Sequence, residues 1–132
     1  MRQYVAITVV AVGGALGSVL RFLVSNWFVA KVGPGFPWAT LTINVSGAFV
    51  IGFVLEVAAT RAGFSPYLRI FLATGILGGY TTFSTYAFEA YTLGTNDLII
   101  SSVLYAVGSL VLGVAAVALG VFVARLAETA IH

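Results

Sequence analysis

Few residues in this chain can handle a small ion, and they stand inside otherwise apolar stretches. Asn44 carries an amide with two donor hydrogens and an acceptor oxygen, and Thr40 and Gly47 share its face at helical spacing. Such an asparagine in an apolar span usually bridges helices. Aimed into a pore, the same NH₂ group is a fixed anion ligand. The second feature is Gly78-Gly79-Tyr80-Thr81-Thr82-Phe83-Ser84-Thr85-Tyr86, a polar, glycine-bearing interruption of an apolar span. Adjacent glycines lower helix propensity, and the hydroxyl and β-branched residues after them offer local hydrogen bonds that compete with the helical ladder. The span is therefore expected to break there, as two half-helices meeting near Gly79; the alternative is a kinked, continuous helix with its hydroxyls bonded back to the preceding turn. Phe83 and Tyr86 then lie along one face of the second half, with Glu89, an acid inside a span, one turn later.

Other chemistry lacks its parts. There is no cysteine, and the only histidine is His132. Disulfides, thiol chemistry, metal clusters and histidine-based catalysis are thereby set aside. No carboxylate pair, nucleophile–base pair or phosphate loop stands in the sequence, so the chain reads as a non-enzyme. A net charge of +2 from scattered basic residues gives no nucleic-acid footprint.

The elements that must position these residues are membrane helices. Of the 132 residues 61% are hydrophobic and only 8% charged, with mean hydropathy +1.10, whereas soluble domains carry roughly a quarter charged residues. At about 20 apolar residues per crossing, the chain has room for four helices in one domain. Their expected spans are 3–31, 38–60, 66–94 and 98–124. The apolar run after Met1-Arg2-Gln3 continues past Gly17 to Ala30, longer than a signal h-region, and reads as the first crossing. Pro34 and Pro37 force a turn, flanked by Trp27 and Trp38, which suit a membrane interface. Ser65-Pro66 reads as an N-cap followed by proline at the first helical position, and Thr95-Asn96-Asp97 as a tight polar turn.

Each crossing carries one stripe of small or polar residues. Gly13, Gly17, Arg21 and Ser25 recur every four residues, with Gly14 and Ser18 beside them. Small residues let helix backbones meet in lipid, where no hydrophobic force drives association, so the glycines are expected to be packing residues. Arg21 must snorkel, find a partner, or face an aqueous vestibule that attracts an anion. Ser102, Tyr105, Ser109, Gly113 and Gly120 form the stripe of the last crossing, and Glu56 lies a turn from the exit of the second. Self-association is the economical way to bury all these stripes. With four crossings, Arg2, Arg61, Arg69 and Arg125 lie at one side and Arg21 and Lys31 toward the other, a bias weak enough to permit insertion either way.

Three motifs in this order resemble the fluoride channel family known as Fluc or CrcB, over essentially the whole chain. They are Gly13-Gly-Ala-Leu-Gly-Ser-Val-Leu-Arg-Phe22, Thr40-Leu-Thr-Ile-Asn-Val-Ser-Gly47 and Gly75-Ile-Leu-Gly-Gly-Tyr-Thr-Thr-Phe-Ser-Thr-Tyr86. The resemblance implies an all-α protein of the plasma (inner) membrane, an antiparallel, dual-topology homodimer with two narrow pores that exports fluoride passively from the cytoplasm. It implies that Asn44 is the pore asparagine, Phe83 the first pore phenylalanine, and Tyr105 and Ser109 hydroxyls beside the path. Thr82, Ser84 and Thr85 match the polar run near the pore, and Arg21 the vestibule arginine. Gly78 and Thr81 match positions whose backbone carbonyls hold a structural Na⁺ at the dimer centre. One departure is plain: the family's second pore phenylalanine is Tyr86 here, offering either a ring edge or a hydroxyl.

Elementary chemistry agrees with that expectation. Fluoride is small and strongly hydrated, so a pore must replace its water with strong donors such as amide NH₂ and hydroxyl groups. An aromatic ring presents a positive edge that contacts an anion without trapping it. Two further readings compete. Small multidrug exporters are also four-helix and often dual-topology, but rely on a first-helix glutamate that is missing here; Glu56 or Glu89 would have to substitute. The other is a non-conducting membrane subunit whose stripes recruit a partner.

Overall fold

The computed structural model describes residues 2–130, which leaves His132 outside the described residues. Three helices are long and apolar enough to cross a membrane: α1 (Gln3–Val32), α2 (Trp38–Thr60) and α6 (Ile99–Thr129). The third crossing is assembled from pieces. A short α3 (Pro66–Arg69) runs into a π-helical stretch, Ile70–Leu77, then α4 (Gly78–Tyr80), and after a break α5 (Phe83–Thr95). Among the described residues there is no strand. At 30 and 31 residues α1 and α6 are, by rise per residue, about 45 Å long. They exceed a hydrocarbon core of about 30 Å, so they tilt or extend beyond it.

The ends of these elements follow local signals. The Ser65 hydroxyl caps α3 by accepting from the Leu68 amide at 3.4 Å, with Pro66 behind it at the first helical position. Gly33, at φ +82°, stops α1 in a conformation that residues with a side chain avoid. The last helix continues past 124, its expected end, to Thr129.

Packing follows the glycine stripes. A β-carbon on Gly13 would stand 2.8 Å from the Phe71 carbonyl oxygen and 2.9 Å from the Gly75 α-carbon. One on Gly17 would overlap the Ile76 carbonyl, and one on Gly79 the Gly14 carbonyl. So α1 and the first half of the third crossing lie backbone against backbone. Gly52 against the Val117 carbonyl, and Gly120 against that of Phe49, join α2 to α6 in the same way. Glu56 and Arg125 form an ion pair at 2.7 Å near the ends of those two helices, and Thr60 bonds Glu128 beside it.

The break is not at the diglycine. Gly78 is helical, with φ −64° and ψ −35°, whereas Thr81 (ψ 159°) and Thr82 (φ −151°, ψ 118°) are extended. The physical reason is that Gly79 is spent on the close approach to Gly14. The two β-branched threonines, which suit extended backbone, supply the interruption instead.

Candidate functional site

Three residues of α2 hold the broken segment, each by a different contact. The Thr82 amide donates to Asn44 Oδ1 at 2.8 Å, and Asn44 Nδ2 donates to the Thr82 carbonyl at 2.9 Å. One side-chain amide thus satisfies both main-chain groups of Thr82, as a neighbouring strand would. Gly47 is small because a β-carbon there would strike the Thr81 methyl. Ser46 and the Tyr80 hydroxyl are hydrogen-bonded at 3.0 Å. On the far side of the break, Thr82 is the N-cap of α5: its hydroxyl accepts from the Thr85 amide at 3.3 Å and donates to the Thr85 hydroxyl at 3.0 Å.

Two groups are left with capacity. The last ladder bond before the break is Thr81 N–H to the Leu77 carbonyl, 3.0 Å. Because the Thr82 amide turns to Asn44, the Gly78 carbonyl loses its helical donor, and the carbonyls that follow it lie past the end of the ladder. Asn44 retains its second amide hydrogen, since one bond uses one of the two. Asn44, Gly47, Gly78, Thr81, Thr82 and Phe83 together line a cavity of about 340 Å³.

From Phe83 a line of rings runs inward. Phe83, 79% exposed at the start of α5, lies 5.7 Å from the Tyr86 ring, and Tyr86 lies 5.4 Å from Tyr105. Phe36 closes the line with its ring 5.5 Å from Tyr105 at an interplanar angle of 81°. The Tyr86 hydroxyl donates to the Ala106 carbonyl at 2.8 Å. Its oxygen is therefore tied to α6, and what the position offers its neighbours is a ring. Tyr105, only 2% exposed, donates to Glu89 Oε2 at 2.7 Å, while Thr40 donates to Oε1 of the same carboxylate at 2.9 Å. One turn beyond Tyr105 on α6, the buried Ser109 hydroxyl has no hydrogen-bond partner among the described residues.

The structure thus gathers Asn44, Thr81, Thr82 and Phe83 around the break, and Tyr86 with Tyr105 beside it. Ser84 and Thr85 are exposed on the first turn of α5. Arg21, half-buried, lies one turn beyond Gly17, whose packing partners include Tyr80 at the edge of the break; it makes no ion pair among the described residues. Sequence reasoning missed the Ser46–Tyr80 bond and the binding of Glu89 by Thr40 and Tyr105. The linear signals for the second were Thr40 one turn before Asn44 on the same face, Glu89 as an acid inside a span and Tyr105 in the stripe of the last crossing, with nothing in the spacing to join them.

Over residues 8–121 the chain matches the family model described as CrcB-like protein, Camphor Resistance (CrcB). It is 47% identical over 119 residues to a protein of Rhizobium meliloti (strain 1021) named fluoride-specific ion channel FluC, covering 90% of this chain and 95% of that one. A protein of the same name from Roseiflexus sp. (strain RS-1) is also 47% identical, over 90% of this chain and 96% of its own. Another from Nitrobacter winogradskyi is 44% identical, over 93% of this chain and 98% of its own. A multi-pass chain that matches across all its crossings, with the break and its asparagine inside the matched region, belongs to the CrcB family.

Proposed function

We propose that the protein is a fluoride-selective channel of the plasma (inner) membrane that lets fluoride leave the cytoplasm passively and so limits its toxicity. The observation that carries this reading is the Asn44–Thr82 pairing, which fixes the broken crossing so that Phe83 stands at the head of α5 beside free donors. A narrow route of this kind offers fluoride the second Asn44 N–H, the Ser109 hydroxyl and the positive edges of Phe83 and Tyr86 in place of water. Each contact is directional, and none is a full positive charge that would hold the ion in place. Arg21 then raises the anion's concentration at an entrance. Thr82 acts at the break through its backbone and its cap, and Ser84, Thr85 and Tyr105 supply further hydroxyls near the route.

The functional unit in this reading is an antiparallel homodimer. Its motive is the exposure of Phe83, Ser84, Thr85 and Gly78 on the face of the break, together with the weak orientation bias of the basic residues. A second copy would cover that face and complete each route. A structural Na⁺ at the dimer centre also fits this chain. Gly78 is exposed, and its carbonyl and that of Thr81 lie past the end of the ladder, so two copies would contribute the hard oxygen donors such a cation requires. When bound, the ion supplies positive charge and tethers the freed carbonyls.

The test is efflux from liposomes reconstituted with the full chain and loaded with fluoride or chloride. Fluoride flux well above chloride flux is expected; equal permeability, or none, removes the reading.

A further inference from the structure

A second cavity, of about 360 Å³, lies away from the break. It is bounded by the C-terminal turns of α1, the turn over residues 33–37, the start of α2, part of α5 and the turn between α5 and α6. Its size falls in the range of small-molecule sites, which are mostly apolar with a few fixed polar groups. Its aromatic walls are Phe28, Phe36, Trp38 and Phe88, and the only ionisable side chain lining it is Glu89.

Glu89 is bound but not neutralised. Its two oxygens accept from the Thr40 and Tyr105 hydroxyls, and it makes no ion pair among the described residues. Hydroxyl donors orient a carboxylate and leave its charge uncompensated. Lys31 and Asp97 each neighbour lining residues without lining the cavity themselves, and their opposite charges offset one another, so the charge at the wall is that of Glu89. Among apolar walls such a charge attracts a cation. A bare divalent ion would need several oxygen ligands, and one carboxylate does not supply them. A weakly hydrated organic ammonium meets both demands. Its methyl groups pack on the apolar walls, and its charge is shared between Glu89 and the faces of the rings.

We propose that this cavity is a binding site for small organic ammonium ions of the trimethylammonium class, with Glu89 as the counter-charge and Phe36, Trp38 and Phe88 as the aromatic wall. The inference does not rest on fluoride conduction, and neither does its test. Trp38 lines the cavity and is one of only two tryptophans, so Trp27→Phe makes it the sole reporter. Emission of the purified full chain is titrated with choline and, separately, with 3,3-dimethylbutan-1-ol, which has the same shape without the charge. Half-saturation by choline is expected at a concentration at least about tenfold below that of the alcohol. Adding Glu89→Gln should raise the choline value about tenfold, and Glu89→Asp, which keeps the charge, should raise it less. Equal values for the two probes, the absence of a saturable change with choline, or a choline response untouched by Glu89→Gln would each overturn the proposal. Should the glutamine variant fail to fold, the comparison of charged and neutral probes on the Trp27→Phe protein still decides it.

Discussion

Asn44 on α2 and Thr82 at the break face each other as residues of paired strands do, exchanging two hydrogen bonds of 2.9 and 2.8 Å. No other amide replaces that pairing, because Thr82 is buried and lipid offers neither donor nor acceptor. Asn44→Ala leaves both main-chain groups of Thr82 without partners. Each buried group left unpaired costs about 1–3 kcal/mol, so the variant should lose stability as well as flux. Asn44→Asp is the sharper probe. It keeps the acceptor for the Thr82 amide but sets a carboxylate oxygen against the Thr82 carbonyl. Thermal unfolding in detergent should show it less stable than the parent, and liposome efflux should fall by about tenfold or more. A variant of normal stability with full efflux would mean that the pairing matters to neither.

The two glycines before the break make a matched pair. A β-carbon at Gly79 would overlap the Gly14 carbonyl, whereas one at Gly78 would find nothing nearer than the Ala73 carbonyl at 3.8 Å. Overpacking of this kind costs about 1–3 kcal/mol, so Gly79→Ala should lower the thermal midpoint in detergent, with α1 displaced from the third crossing. Gly78→Ala leaves the fold of the single chain intact. Should it instead lower the dimer fraction in cross-linking, that loss would locate Gly78 at the contact between copies.

This pair also shows what the sequence could and could not disclose. The apolar spans, the Ser65 cap and the glycine seam of α1 were legible because each depends on residues close together in the chain. The third crossing was legible as interrupted, but the position of the interruption was not. Gly78 and Gly79 carry the local signal for a break, yet what Gly79 does is decided by Gly14, some 65 positions away in the chain. Where the backbone opens is decided by Asn44, 38 positions from Thr82. The site was readable as a set of residue types. The way Glu89 is held by one hydroxyl from α2 and another from α6 was not, since no spacing encodes a meeting of three elements.

Tyr86 stands where the resemblance implies a second pore phenylalanine, and its hydroxyl donates to the Ala106 carbonyl at 2.8 Å. Tyr86→Phe removes that bond and keeps the ring between Phe83 and Tyr105. A loss of about 1 kcal/mol is expected, with fluoride efflux within about twofold of the parent if the ring serves the route. Phe83→Ile, by contrast, removes an exposed ring that buries little within the chain, so efflux should fall sharply while thermal stability in detergent barely moves. Retention of full efflux by Phe83→Ile would return that ring to a packing role.

Ser109 presents the clearest separation of stability from function. Its hydroxyl is buried and has no partner among the described residues, and burial of a hydroxyl without a hydrogen bond is unfavourable by about 1–3 kcal/mol. A sequence selected for stability alone would place alanine there. Ser109→Ala should therefore be stabilising, raising the thermal midpoint in detergent while lowering fluoride efflux severalfold, because a donor beside the proposed route is lost. Ser109→Thr keeps the hydroxyl and should retain more flux than alanine does. If alanine lowers stability instead, the hydroxyl is bonded in the membrane, and if alanine leaves efflux unchanged, fluoride does not use it. Only a rise in stability together with a fall in flux identifies Ser109 as a group kept unsatisfied for the passing ion.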